Sequence, residues 1–446
     1  MEQQHMFTNR MIRNLLVPVV LEQILNSIMG TADTMMVSNV GSAALSAVSL
    51  VDSINILLIQ AFSALAAGGA IVCAQYIGQK NYEKANMSAR QVLFIITAIS
   101  VAVSAACLIF QKPLLRLIFG AVEADVMHAS ETYFFYTALS FPFIASYDAA
   151  ASIFRAQENT KGPMIISMIS NIMNIGGNAI LIWVFHLGVA GAAISTLVSR
   201  IFCAVVVLYQ LRKDRQPIVV REYLKICPDW SMIGRILGLG IPSGIENSMF
   251  QLGKLAIQST VSTLGTAAIA AQAMTNILEN LNGIAAIGVG VGLMTIVGQC
   301  LGAGRKDEAV YYIKKLCVIA EIVITVSCLI VYAVARPVTI LGGMEKSSAA
   351  MCIHMITWIT IVKPLVWTMA FVPGYGLRAA GDVKFSMITS CCTMWACRFC
   401  LCVFLIRVLG FGPMGVWIGM FADWTVRGII FTWRFHSRRW LEHKVI

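Results

Sequence analysis

The chain has 446 residues, with 33 Lys and Arg against 22 Asp and Glu, a formal net charge of +11, 58% hydrophobic residues and only 12% charged ones. That charge density is about half that of a soluble domain, and with a mean hydropathy of +0.78 it excludes a soluble enzyme. It excludes a nucleic-acid-binding protein too, because no basic, aromatic-bearing soluble segment carries the positive excess.

Apolar runs long enough to cross about 30 Å of hydrocarbon predict twelve spans. In the first half they cover about 14–38, 46–73, 91–110, 133–153, 163–185 and 189–211. In the second they cover about 236–262, 270–298, 316–336, 352–376, 385–407 and 413–435. Arg10 and Arg13 precede the first run without a small-residue cleavage motif, so it reads as a first span and not a removable signal. Most of the 13 cysteines fall inside spans and read as small buried hydrophobes. The segment 211–235, with Asp214, Pro217, Glu222 and Pro228-Asp229-Trp230, reads as an amphipathic connector on the cytoplasmic side.

The two halves repeat. Pro18-x-x-x-Glu22 returns as Pro242-x-x-x-Glu246, Gly41-x-Ala43-Ala44 as Gly265-x-Ala267-Ala268, and Gln75-x-x-Gly78 as Gln299-x-x-Gly302, each at an offset of 224. Arg155 and Lys161 return as Arg378 and Lys384 at 223. With a cytoplasmic N-terminus, 23 Lys and Arg fall on inside segments and four (Lys112, Arg116, Arg336, Lys346) on outside ones. By the positive-inside rule both termini are cytoplasmic. Six spans per half then give two parallel six-helix repeats, an all-α integral membrane protein of two lobes, 1–210 and 236–446, joined by 211–235. Repeated apolar halves of this length are the mark of a secondary transporter. ATP-binding, zinc-protease and serine-hydrolase signatures are absent, so an enzyme is not expected.

Thr31-Ala32-Asp33-Thr34, Gly41-Ser42-Ala43-Ala44-Leu45, Gln75-Tyr76-Ile77-Gly78, Asn174-x-x-x-Asn178, Gly188-Val189-Ala190-Gly191 and Gln299-x-x-Gly302-Ala303 occur in an order and duplication that resembles the multidrug and toxic compound extrusion (MATE) family of bacterial efflux transporters. The resemblance covers essentially the whole chain. It implies a two-lobed exporter in the bacterial inner membrane that exchanges Na⁺ or H⁺ for small organic, often cationic, drugs. No other cofactor is implied; membrane lipids surround it, nucleic acid is not a partner, and the family expectation is a monomer.

A carboxylate inside a span is costly unless solvated or paired, which makes Asp33 the first candidate. The resemblance places the cation-coupling carboxylate there. It adds Asn174 and Asn178, one helical turn apart, and the Thr196 hydroxyl; together these offer oxygen ligands to a hard cation. Where the family carries a second aspartate this chain has Asn178, which leaves Na⁺ and H⁺ both open. Ile257 stands at the repeat position of Asp33, so one lobe carries the coupling. Glu22 and Glu246 either line the cytoplasmic mouth or serve as helix-dipole partners. In the seventh span Gln251 is neutral and Lys254 is positive. Lys254 either pairs with Glu279, Asp148 or Asp52, or meets an acidic substrate, and its charge disfavours a cationic one. Lys363, Arg398 and Asp423 also sit within or near spans, and Asp423 and Arg427 read as a structural ion pair one turn apart. The resulting expectation is alternating access of two lobes around a central cavity. The alternative is a flippase or exporter of a lipid-linked or anionic substrate, to which Lys254 and Lys363 would contribute.

Overall fold

The structure, a computed structural model, describes residues 5–446. These are 86% helical and contain no strand. The first half contributes α1 (Asn9–Ser38), α2 (Ser42–Gly78), α3 (Tyr82–Ile109), α4 (Gln111–Phe119), α5 (Ala124–Leu139), α6 (Phe141–Ala156), α7 (Lys161–Asn178) and α8 (Val189–Leu211). The second contributes α9 (Trp230–Val261), α10 (Thr266–Gly302), α11 (Lys306–Leu341), α12 (Lys346–Ala379), α13 (Val383–Cys392), α14 (Leu401–Arg407) and α15 (Met414–His436). Nine helices among the described residues are long and apolar enough to cross a membrane.

The differences from the twelve expected spans have local causes. The stretch expected at 133–153 is broken at Ser140 into α5 and α6, because Pro142 has no N–H to continue the ladder. In contrast, α12 runs unbroken through Pro364 and Pro373. Helices α9 (32 residues) and α15 (23 residues) are long enough to span, but charged side chains interrupt their apolar faces. Helix α3 starts earlier than hydropathy suggests because a capped polar turn extends it: Asn81 accepts from Lys84 N at 3.2 Å. The segment 212–229 consists of turns and irregular chain with one 3₁₀ turn (Tyr223–Lys225), and α9 already begins at Trp230. Gln91 holds this segment by donating to Cys227 O (2.8 Å) and accepting from Asp229 N (3.0 Å).

Left-handed turn positions recur between the halves. Lys80 (φ 59°) matches Gly304 (φ 74°), and Gly188 (φ 60°) matches Gly412 (φ 64°). At the first pair the second half uses the residue that adopts this conformation without strain.

Packing divides the chain into two compact units: residues up to Ile24 with Ile245–Val445, and Leu25–Gly244 with Ile446. The leading turns of α1 and α9 are therefore exchanged between the halves. In one unit Gly68 of α2 sits so close to α9 that a Cβ on it would lie 2.6 Å from Gly240 N. In the other, a Cβ on Gly288 of α10 would lie 2.9 Å from Val20 Cα of α1. Small residues at both crossings allow this backbone approach. Phe7, just ahead of α1, is anchored in the same unit: its N donates to Tyr312 Oη, and Tyr312 Oη donates to Phe7 O, both at 2.8 Å.

Candidate functional site

Two groups of polar side chains lie among the helices, one in each unit. In the unit containing 25–244, α1 presents a half-buried Asp33. From α7, Asn178 Nδ2 donates to Asp33 Oδ1 and, at 3.4 Å, to Asn174 Oδ1. Asn174 Nδ2 donates to Thr196 Oγ1 of α8 at 3.2 Å. The four residues expected from the sequence are thus brought together as one hydrogen-bonded chain. Gly177 leaves room for Ser195, whose hydroxyl donates to Asn174 O at 2.8 Å and steadies that turn of α7. Immediately after Asn178 the helix relaxes into π turns (Ala179–Val184), a distortion frequent at functional sites. Asn178 is fully buried, and its Oδ1 has no donor among the described residues. An unpartnered carbonyl oxygen beside a carboxylate, an amide oxygen and a hydroxyl suits a hard cation, and the Asp33 carboxylate alone suits a proton.

Sequence reasoning missed the rest of this cluster. Arg200, one turn beyond Thr196 on α8, has Tyr133, Asp52, Asp148 and Asp33 as its electrostatic neighbours. Its Nη1 donates to Ser140 Oγ at 2.7 Å, at the break between α5 and α6. Tyr133 Oη and Asn55 Nδ2 donate to Asp52 Oδ1 at 3.1 and 3.2 Å, and Ser63 Oγ donates to Asp148 Oδ2 at 2.5 Å. Three carboxylates around one guanidinium leave this cluster acidic. Asp52 and Asp148, considered as partners of Lys254, belong here. The available signal was Arg200 itself, a lone arginine in an apolar run that requires buried partners.

In the unit containing 245–445 the balance is reversed. Lys363, fully buried on α12, bonds Glu279 Oε1 and Asn282 Oδ1 of α10, each at 2.5 Å. Arg398, in the π segment Thr393–Cys400, meets Asp423 Oδ2 at 2.5 Å. Arg427 meets Asp423 Oδ1 at 3.0 Å, so the expected pair of Asp423 and Arg427 exists with Arg398 added to it. Lys254 lies 5.0 Å from the Phe250 ring, and Glu279 is the carboxylate that acts on it electrostatically. It makes no ion pair among the described residues; Glu279 is engaged by Lys363. Gln251, beside Phe250, is half-buried. Glu246 is buried and pairs with Arg378 at 2.6 Å, with Ser386 Oγ donating at 3.4 Å, a partnership that its place in the sequence did not indicate. Its repeat counterpart Glu22 is buried as well.

A MatE family model matches residues 18–180 and again 242–404. The chain belongs to the MatE family. It is therefore a multi-pass membrane transporter of the MATE type, as the resemblance implied, and MATE proteins are transporters rather than enzymes. The probable multidrug resistance protein YoeA of Bacillus subtilis is 25% identical over 439 residues, covering 96% of this chain and 94% of its own. A MATE protein solved in complex with MaL6 superimposes with TM-score 0.90 at 19% identity over 97% of both chains. A transporter of the MOP superfamily from Pyrococcus furiosus, whose binding pocket is described as reversed in polarity, superimposes with TM-score 0.89 at 18% identity over 98% of this chain and 97% of its own. At these identities the two structures establish the shared MATE fold.

Proposed function

We propose that this MATE transporter is a secondary exporter of small organic molecules, driven by inward Na⁺ or H⁺ movement through alternating access of two six-helix lobes in the bacterial inner membrane. The lobes are 1–210 and 236–446, linked by 211–235, and the twelve spans form two parallel repeats with cytoplasmic termini. The doubled family match and the 23-to-4 distribution of Lys and Arg support this arrangement. The protein works as a monomer. YoeA, a probable multidrug resistance protein, supports drugs or metabolites as cargo.

Asp33, Asn174, Asn178 and Thr196 bind the coupling cation. The observation that carries this reading is Asn178: its Nδ2 steadies Asp33 while its buried Oδ1 stays without a donor among the described residues. Cation binding supplies that missing interaction, and the resulting difference in affinity between the two access states drives the cycle. Efflux of a fluorescent organic substrate from energised, pump-deficient cells tests it, with wild type and Asp33→Asn at matched membrane expression. We expect wild-type efflux to collapse in the variant, and repetition with and without Na⁺ to name the ion. Efflux unchanged in Asp33→Asn would refute the assignment.

A lipid-linked or anionic cargo is the second reading. It is favoured by the cationic cluster around Lys254, Lys363, Arg398 and Arg427, which opposes a positively charged substrate.

A further inference from the structure

In the second half's unit, four cationic side chains converge: Lys254, Lys363, Arg398 and Arg427. The carboxylates in ion-pairing contact with them, among the described residues, are Glu279 and Asp423. Glu279 serves Lys363, and Asp423 is shared by Arg398 and Arg427. Four cations against two carboxylates leave two positive charges over, and an unbalanced charge among packed helices is costly.

The unmet hydrogen bonds point the same way. Arg398 Nε, Asn282 Nδ2 and Trp424 Nε1 are buried and have no acceptor among the described residues, and each side chain is at most 1% exposed. All three are donors. They belong to the cluster: Asn282 accepts from Lys363, and the Trp424 ring lies 5.8 Å from the same ammonium. An occupant that satisfies them must supply acceptors and negative charge, as carboxylate and phosphate oxygens do. Lys254 completes the set as an exposed ammonium with no ion-pair partner among the described residues. The surroundings are aromatic. Phe250 lies 4.8 Å from the Arg398 guanidinium and Phe371 4.9 Å from that of Arg427, aromatic surface suited to contact with the apolar body of a ligand.

We propose that this cluster is the binding site for an organic anion, a carboxylate or phosphate carried on an apolar body, and that this anion is the transported molecule. The claim about transport rests on the exporter reading above; the binding claim does not.

The test is equilibrium binding to the full-length protein in phosphatidylcholine nanodiscs, by calorimetry, with no ion gradient. The probes are 2-naphthoate, 2-naphthyl phosphate and the cation 2-naphthylmethyl-trimethylammonium. We expect the anions to bind and the cation not to. Lys254→Gln weakens anion binding about tenfold, as loss of one charge-assisted contact predicts. Lys254→Arg retains it, and Lys254→Glu abolishes it. Lys254 has no ion-pair partner to strand, so these variants keep the fold. Cation binding without anion binding, or anion affinity equal in all Lys254 variants, overturns the proposal. Phosphatidylglycerol that displaces the naphthyl anions identifies a lipid headgroup as the ligand's source; lack of displacement identifies a soluble solute. Asp33→Asn separates the two readings: anion binding persists in it whether or not coupled efflux is lost.

Discussion

Asp423 shows how closely the charged side chains depend on one another. It is fully buried and serves two guanidiniums, at 2.5 Å to Arg398 and 3.0 Å to Arg427. Removing one member of a buried charge group strands the others and costs about 3–5 kcal/mol. Asp423→Asn is therefore expected to lower the unfolding temperature in detergent sharply, and Asp423→Asn combined with Arg398→Gln to recover part of the loss. Equal melting of the two variants would mean that the charges are compensated elsewhere. Of these residues, sequence spacing located only the pair of Asp423 and Arg427, because residues four apart on one helix lie on the same face. Arg398 joins from another helix, and no spacing rule reaches it. The same limit applied to Asp33. Its place in an apolar run marked it as a candidate, but the bond from Asn178, 145 residues away, is a product of tertiary packing.

At the scale of helices, close crossings and breaks set where these side chains point. Gly68 of α2 lies under Gly240 of α9, and a Cβ there would lie 2.6 Å from backbone nitrogen. Backbone cannot yield as a side chain tip can, so Gly68→Ala should destabilise by about 1–3 kcal/mol. Gly234, inside α9, has nothing within 4 Å of its missing Cβ. Gly234→Ala should stabilise by about 0.5–1 kcal/mol, the helix-propensity gain. Thermal melts of the two variants moving in the same direction would disprove the crossing argument. The connecting segment depends on Gln91, which both donates to and accepts from it. Gln91→Leu should release it, seen as faster amide exchange over residues 217–229 with exchange in α3 unchanged. Tyr223 in the same segment donates to Leu208 O at 2.5 Å, and burial pushes its hydroxyl pKa up to about 12, with Arg212 partly opposing. A neutral phenol is thus favoured in the folded state. Its contribution to stability is full below the ordinary tyrosine pKa of 10.0 and is lost as pH rises through about 12.

Over the whole molecule, duplication and divergence coexist. The family model matches twice at one offset, and the glycine crossings at Gly68 and Gly288 repeat the same exchange of leading turns. The polar contents have diverged: three carboxylates are the acidic neighbours of Arg200 in one unit, and four cationic side chains stand against two carboxylates in the other. The proposed orientation has a direct check at Cys227, an exposed thiol in the connecting segment. A membrane-impermeant maleimide should label it in inside-out vesicles and not in intact spheroplasts; the opposite pattern would invert the topology.

By itself the sequence determined the membrane class, the family, the doubled plan and the approximate helix positions. Each rests on signals carried locally along the chain: apolar run length, a fixed offset and short motifs. Only the tertiary structure decided the break at Ser140, the exchange of leading turns between units, the partner of Lys363 some 84 residues away, and Arg200 among its carboxylates. In the apolar interior a charge must find an opposite charge or a hydrogen-bond partner, but any helix of the bundle can provide it, so packing makes the choice.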